Sequence, residues 1–572
     1  MLRPTNPHGN QLAKLSPFEL KDELIKLAQA ANAQGAATTP FLNAGRGNPN
    51  WIATTPREAF VRLTEFALSE CKRDWDEPGL GGMPQRPGIA GRLREFIARE
   101  GAASAGTRLL AASHDYGVNL LGFEADAWIH ELADSIIGDN YPVPGRMLVH
   151  CERVVHAFLA KEMFTGCPPT GRFDLFAVEG GTAAMCYLFN SLRINKLLKA
   201  GDTIALGTPI FTPYIEMTHL EGFKVVNVEQ AGMQDGVHTW RYTDAELKKL
   251  ENPRIKAFFL CNPSNPASVA VDDESLHKIA KLVKTRRPDL IVLTDDVYGT
   301  FLDNFRSLAA EIPHNTILVY SYSKHFGCTG WRLGVIAMHE KNIIDQKLAK
   351  LPKPQQRELA ERYGSLTLQP LKMKFIDRLV ADSRNVALNH TAGLSLPQQV
   401  QMTLFSLFAL LDPDDGYKKR CQAIVQQRLQ KLADGLKVEL PRDKHRAAYY
   451  AVLDLEAWGR RTHGDEFMEW ATANHVPLDI VFGLARNFGT VLLNGDGFGG
   501  PPWSARVSLA NLSTNSYGAI GQSVAAGAAR AVQRFQEWKQ QGKSSSKSET
   551  KTRTRTKTKA KVKAKTKTRR KS

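Results

Sequence analysis

Between residues 173 and 340, short apolar runs alternate with longer stretches whose apolar positions recur at helical spacing. The runs at 175–178, 203–206, 224–228, 257–261, 290–294, 316–320 and 333–338 suit strands, and stretches such as 182–198 and 273–284 suit the helices between them. This alternation predicts an α/β fold around a mainly parallel seven-stranded sheet. Elsewhere the pattern is more helical. Over 17–31, Leu20, Leu24 and Leu27 share one helix face. Residues 55–135 read as largely helical with a Gly/Pro-rich break at 78–91, and further helices are predicted over 147–162, 354–368 and 398–411. Residues 440–535 read as a second, smaller α/β unit, with strands at 448–453 and 506–509, a glycine-rich turn at 495–500 and a last helix over about 522–540. The organisation predicted is an N-terminal arm with part of a small domain (1–60), a helical insertion (61–150), a large domain (151–395), a C-terminal small domain (396–542) and a disordered basic tail (543–572).

Charge sharpens the last boundary. The whole chain of 572 residues carries +17, from 75 Lys+Arg against 58 Asp+Glu. Residues 543–572 hold 14 of those basic residues and a single acid, Glu549, so the preceding body has 61 basic against 57 acidic residues and is close to neutral. That body shows no bias towards nucleic acid or a membrane surface. The tail has almost no apolar content, which predicts disorder, with either weak polyanion binding or a solubilising role. Seven cysteines (Cys71, Cys151, Cys167, Cys186, Cys261, Cys328, Cys421) are dispersed without metal-ligand spacing and read as reduced thiols. No basic-then-apolar leader and no apolar run of bilayer length is present, so a cytoplasmic protein with no membrane partner is expected.

In open α/β sheets, ligands bind beyond the carboxyl ends of the strands. After the first predicted strand comes Glu179-Gly180-Gly181-Thr182, opening a helix, where exposed amides, a hydroxyl and the positive helix end suit a phosphate. After the second comes Phe211-Thr212-Pro213-Tyr214, an aromatic face; after 257–261 comes Asn262-Pro263-Ser264-Asn265-Pro266; after 290–294 comes Asp295-Asp296-Val297-Tyr298. After 316–320 comes Ser321-Tyr322-Ser323-Lys324, with Arg332 eight positions beyond the lysine. A lysine amine among hydroxyls can form a Schiff base with an aldehyde cofactor, while the serines and the arginine hold a phosphate. Taken singly, each element has a plain structural use: a helix start, a core ring, an Asn-Pro turn, a solvated strand end. Their occurrence in order at five strand ends supplies every contact that pyridoxal 5'-phosphate needs. Two further turns draw notice: Gly45-Arg46-Gly47, where backbone can approach a ligand closely, and Gly138–Arg146, which sets Tyr141 beside two prolines.

These residues resemble the fold type I pyridoxal-phosphate enzymes, and from Gly47 to Arg506 their order is similar to that of the aspartate aminotransferase superfamily. In length and in the helical segments near 80–130 and 350–390, residues 1–540 most resemble the bacterial aspartate 4-decarboxylases. The resemblance implies a lyase that turns L-aspartate into L-alanine and carbon dioxide, with a side aminotransferase activity. It implies that Lys324 binds pyridoxal 5'-phosphate and moves protons at Cα, and that Asp295 pairs with the pyridine nitrogen. The choice of Asp295 over Asp296 rests on its spacing to Tyr298. Tyr298 and Asn265 would bond the phenolic oxygen and Phe211 would stack on the ring. Gly180, Gly181, Thr182, Ser321, Ser323 and Arg332 would hold the phosphate, with Tyr141 reaching it from a neighbouring subunit. Arg506 would take the substrate α-carboxylate, with Gly47, Asn265 and Arg46 also at the substrate. Gly180 stands where many relatives have serine, which removes one hydroxyl. The resemblance further implies at least a homodimer, and larger assemblies such as a dodecamer. A plain aspartate or alanine aminotransferase would use the same residues. A transcription regulator on the same scaffold needs a DNA-reading domain, and only about 40 residues precede Gly45.

Overall fold

A computed structural model describes residues 12, 15–101, 104–384 and 393–567, with side chains described as far as 541. Seven apolar runs form the central sheet: β1 (Phe173–Val178), β2 (Thr203–Thr208), β3 (Lys224–Glu229), β4 (Ile255–Cys261), β5 (Ile291–Asp295), β6 (Thr316–Ser321) and β7 (Gly334–His339). Their spatial order is β1-β7-β6-β5-β4-β2-β3. Only β7 runs against its neighbours, with Val319 opposite Ile336 and Phe176 opposite Ile336 on its other side. The strands lie within a residue or two of the predicted runs. β1, β6 and β7 are buried along their whole length, as covering both faces of a sheet requires.

The pleat sends alternate side chains to opposite layers. Phe176 and Val178 pack with Met185, Leu188 and Leu192 of the helix Gly181–Ile194. Leu175 and Ala177 face the other layer, with Phe158 of Val149–Met163 and Leu404 of Leu396–Leu410. The helix Asp273–Thr285 shows why such segments start where they do. Asp272 accepts from the amides of Glu274 and Ser275, and Leu276, Ile279, Ala280 and Val283 form the buried stripe.

The insertion contains the helices Thr55–Asp74, Ile89–Glu100, Ala105–Asp115 and Ala125–Ile137. The predicted break holds a ribbon of Asp76–Glu77 with Leu80–Gly81. The smaller sheet consists of β8 (Tyr450–Asp454), β9 (Leu493–Asn494) and β10 (Ser504–Ser508), ordered β8-β10-β9 and antiparallel. The N-terminal segment belongs to this unit. Leu42–Asn43 pairs in parallel with Thr490–Val491, and the Ser508 amide donates to the Ala44 carbonyl. The turn at 45–48 is thereby pinned beside Arg506.

In the helix Pro17–Ala33, Leu20 and Leu24 are buried and Leu27 packs half-buried against the same core, so the three share one face as expected, and Ala28 and Ala31 extend the stripe. One expectation changes. The last helix runs over Thr514–Lys567, so the backbone is helical well past 540 and through most of the segment expected to be disordered. Its Lys, Arg and Ala content favours helix, which the composition-based expectation left out. Among the described residues no helix is long and apolar enough to cross a membrane.

Candidate active site

The carboxyl ends of β1, β4, β5 and β6 meet the turn at 45–48 and the small sheet around a cavity of about 280 Å³. Its walls include Gly181, Thr182, Phe211, Asn265, Asp295, Tyr298, Ser321, Ser323, Lys324, Arg332, Arg506 and Gly47, so most of the residues singled out in the sequence converge.

At one end lies a cradle for an anion. Gly181 and Thr182 open the helix Gly181–Ile194, whose first amides are free to donate. The Ser321 and Ser323 hydroxyls are 3.0 Å apart. Arg332 has left-handed backbone, with φ +57°, and its Nη2 donates to the Glu179 carbonyl at 3.1 Å. A side chain on Gly180, where φ is +89°, would meet Arg332 Nη2 at 2.5 Å. The glycine that removes a hydroxyl therefore makes room for the guanidinium.

The floor is Asp295, at the end of β5. Tyr214 donates to Asp295 Oδ2 at 2.6 Å, and the Val297 amide donates to Oδ1 at 3.3 Å. Burial pushes the carboxyl up, against the opposing pull of these donors and of Lys324. Asp296 lies outside the cavity walls, is fully buried, and accepts from the Thr294 hydroxyl. Burial pushes it up to about 7. Of the adjacent aspartates, Asp295 alone faces the cavity.

Between floor and mouth, Lys324 Nζ donates to the Gly47 carbonyl at 3.2 Å, and Tyr449 donates to the same oxygen at 2.8 Å. Tyr298 donates to Tyr450 Oη at 3.1 Å, and burial pushes the Tyr298 phenol well up. At the far end, Arg506 is 1% exposed. Its Nη2 donates to the Gly45 carbonyl at 3.0 Å and its Nη1 to Asn265 Oδ1 at 3.3 Å, while its Nε has no partner. The rings of Tyr450, Phe498 and Phe18 stand 4.4, 4.7 and 5.7 Å from the guanidinium carbon. Among the described residues no carboxylate pairs with it. Burial draws its pKa down, which is the cost of holding an unpaired charge away from water. Such a group calls for an anionic ligand.

Three predicted residues, Gly180, Arg46 and Tyr141, do not line the cavity. Gly180 stands behind the cradle against Arg332. Arg46 is exposed and outside its walls, although its neighbour Gly47 lines them, and Tyr141 is 67% exposed between the helices Ala125–Ile137 and Val149–Met163. Among the wall residues not singled out as site residues are Phe18, Tyr214 and Tyr450. Tyr214 follows Phe211 by one helical turn, a usable signal. Phe18 and Tyr450 reach the cavity only through long-range packing.

The sequence profile described as aminotransferase class I and II matches residues 180–520. A Pseudomonas protein, a bifunctional aspartate aminotransferase and L-aspartate beta-decarboxylase, is 48% identical over 534 residues, covering 93% of this chain and 98% of that protein. An aspartate aminotransferase of Pyrococcus abyssi is 33% identical over 26% of this chain and 37% of its own length. Among solved structures, the Thermus thermophilus aspartate aminotransferase with maleate matches with a TM-score of 0.53 at 17% identity, over 92% of this chain and all of that one. The Rhizobium meliloti aspartate aminotransferase gives 0.55 at 15% identity, over 92% and 99%. At such identities the two structures speak for the fold.

Proposed function

The chain belongs to the class I and II aminotransferases, and from that premise we propose that it is a pyridoxal 5'-phosphate enzyme that removes the β-carboxylate of L-aspartate, giving L-alanine and carbon dioxide, with aspartate aminotransferase activity as a side reaction. The observation that carries this reading is the 48% identity to the bifunctional Pseudomonas enzyme across 93% of the chain.

The donor set fits the cofactor. A cradle of amides, hydroxyls and one guanidinium suits its phosphate, and a buried carboxylate at the opposite end suits its ring nitrogen. The room left by Gly180 for Arg332 belongs to the same design. When bound, pyridoxal 5'-phosphate supplies an electron sink for the pair left behind as a substrate bond breaks.

The protein's own groups do the rest. Lys324 would hold the cofactor's aldehyde end and would carry the proton to and from the substrate Cα. Asp295 would set its carboxylate against the ring nitrogen, held in orientation by Tyr214. Tyr298 and Asn265 would bond the phenolic oxygen, the Tyr298 phenol being pushed up by burial and kept protonated. Phe211 would cover the ring face. Arg506 takes the α-carboxylate through its paired nitrogens, in a pocket that its three neighbouring rings keep dry. Loss of the β-carboxylate as carbon dioxide is balanced by a proton delivered to Cβ.

Tyr141 serves the phosphate of a second copy, so the working unit is at least a homodimer, and the resemblance to the aspartate 4-decarboxylases supports larger assemblies of dimers, such as a dodecamer. Arg46 would reach a substrate carboxylate by turning its exposed side chain towards the cavity that its neighbour Gly47 lines. The seven unpaired cysteines support a reducing, cytoplasmic setting. The basic tail binds polyanions weakly.

The test is direct. Purified protein given L-aspartate without a keto acid is expected to be yellow and to release carbon dioxide and alanine in equal amounts. Turnover that depends on an added keto acid would leave an aminotransferase in place of the decarboxylase.

A further inference from the structure

Tyr450 is 3% exposed and forms part of the cavity wall between Lys324 and Arg506. Its place follows from strand register. β8 pairs with β10 so that Val452 lies opposite Arg506 and Tyr450 opposite Ser508. Tyr450 and Arg506 are therefore diagonal neighbours on one face, a separation that long side chains bridge.

Two functional groups meet this one side chain, and a third opens on the same space. The Arg506 guanidinium carbon stands 4.4 Å from the centre of its ring. Tyr298 donates to its hydroxyl at 3.1 Å. A methyl group on Gly47 would lie 2.6 Å from Tyr450 Oη and 3.5 Å from Lys324 Nζ, so hydroxyl and amine face one small space that glycine keeps open.

A ring under Arg506 has a consequence that a carboxylate there would lack. The negative face of the ring attracts the guanidinium without neutralising it, so the cation is held in place and still available to an incoming carboxylate. The hydroxyl acts on Tyr298, whose single proton is here given to Tyr450. When that proton turns to a cofactor oxygen, Tyr450 can donate back to the Tyr298 oxygen, and a phenol whose oxygen accepts a hydrogen bond donates more strongly.

We propose that Tyr450 is a positioning residue for this site: its hydroxyl fixes and strengthens the Tyr298 phenol, and its ring fixes the Arg506 guanidinium. The proposal rests on the cofactor and substrate put forward under the proposed function.

The two halves separate by substitution. Tyr450→Phe keeps the ring and removes the hydroxyl. A donor at the phenolic oxygen loosens that oxygen's hold on the proton of the Lys324 nitrogen. Weakening the donor is therefore expected to raise the pH midpoint of the visible band by roughly half to one unit, the size of one hydrogen bond. KM for aspartate is expected to stay within about twofold. Tyr298→Phe should already contain the whole effect, so the Tyr298→Phe/Tyr450→Phe double variant is expected to share its midpoint. Tyr450→Met removes the aromatic face at similar length, and KM for aspartate should then rise about tenfold above that of Tyr450→Phe. Methionine is chosen because Tyr450 also walls a neighbouring cavity of about 540 Å³, into which a smaller side chain would open the site.

An unmoved midpoint in Tyr450→Phe, or full additivity in the double variant, would overturn the hydroxyl's role. Equal KM values for the Phe and Met variants would overturn the ring's role. Should the Met variant not fold, Tyr450→Leu in an Arg506→Lys background decides the ring's role: loss of the ring should add about tenfold to KM there as well, and no added rise overturns it. A parent protein with neither visible band nor carbon dioxide release would instead refute the proposed function itself.

Discussion

Two arginines face the same cavity from opposite ends and live in different surroundings. Arg332 is exposed, with its guanidinium on the carbonyls of Thr329 and Glu179 and beside the serine hydroxyls and helix amides of the cradle. Arg506 is 1% exposed, bears on one carbonyl and Asn265, and is otherwise enclosed by rings. An anion at Arg332 is shared among many donors and partly screened by water. One at Arg506 meets a single charge in a dry wall, where Coulombic attraction is far less attenuated. Burial, more than charge count, decides how much of a ligand's binding rests on one residue.

The largest effect is therefore expected at the buried end. Arg506→Ala should lower kcat/KM for L-aspartate by about 10³-fold, because it removes a bidentate partner from a desolvated site. The visible cofactor band should remain, since the cradle is untouched. Loss of the band in this variant would break the division between the two ends. Arg332→Ala should give the complementary result. Cofactor affinity is expected to fall by roughly 10- to 100-fold, as the helix amides and serines stay in place. Turnover should recover when pyridoxal 5'-phosphate is supplied in excess, and dialysis followed by titration with the cofactor reads both quantities. A variant that cofactor cannot restore would show that Arg332 also acts on the substrate.

The same division explains what could be read from the chain. The cradle, Asp295, Tyr298 and Lys324 sit directly after apolar runs in strict order, so strand pattern and local motif together placed them between residues 180 and 332. The sheet was legible for the same reason: runs buried on both faces have few other uses. The substrate end is assembled from Phe18, Gly47, Tyr450 and Arg506, which lie far apart in sequence. Phe18 looks like one more apolar residue of an amphipathic helix, and Tyr450 like one more strand aromatic. Only the pairing of Leu42–Asn43 with Thr490–Val491, and of β8 with β10, brings them together. Arg506 could be named through family resemblance, yet its lack of an acidic partner is a property of packing.

A smaller effect tests burial at the floor. Asp295 is fully enclosed, its carboxyl is raised, and the Tyr214 hydroxyl is the donor that most favours its ionised form. Because the folded-state pKa lies above the unfolded one, the protonated form is the better tolerated. Stability is therefore present at low pH and lost as pH rises through the raised value. Tyr214→Phe removes the opposing hydrogen bond and raises the carboxyl further. In cofactor-free protein the variant should be less stable than the parent by about 1–2 kcal/mol at pH 8, with the gap closing towards pH 4. Denaturant unfolding at the two pH values reads the difference. A gap that is constant with pH would mean that the phenol contributes packing alone, and that burial at the floor is not felt as charge.

The smallest effect on catalysis is expected where neither end is touched. Residues 543–572 hold 14 basic residues and one acid, whereas the preceding body is nearly neutral. Ending the chain at residue 542 should change kcat and KM for aspartate by less than about twofold, because no described residue of the cavity wall lies beyond Arg506 and exposed charges act over only about 10 Å in ordinary buffer. The same truncation should move elution from a heparin column to markedly lower salt and flatten the dependence of binding on salt concentration, since each phosphate- or sulfate-bound cation contributes its own released counterion. If truncation left heparin retention unchanged, the polyanion reading of the tail would fail. If it lowered turnover, the helix that continues to Lys567 would have to reach an active site, its own or that of a second copy, and the contrast between the two arginines would need a third cationic group.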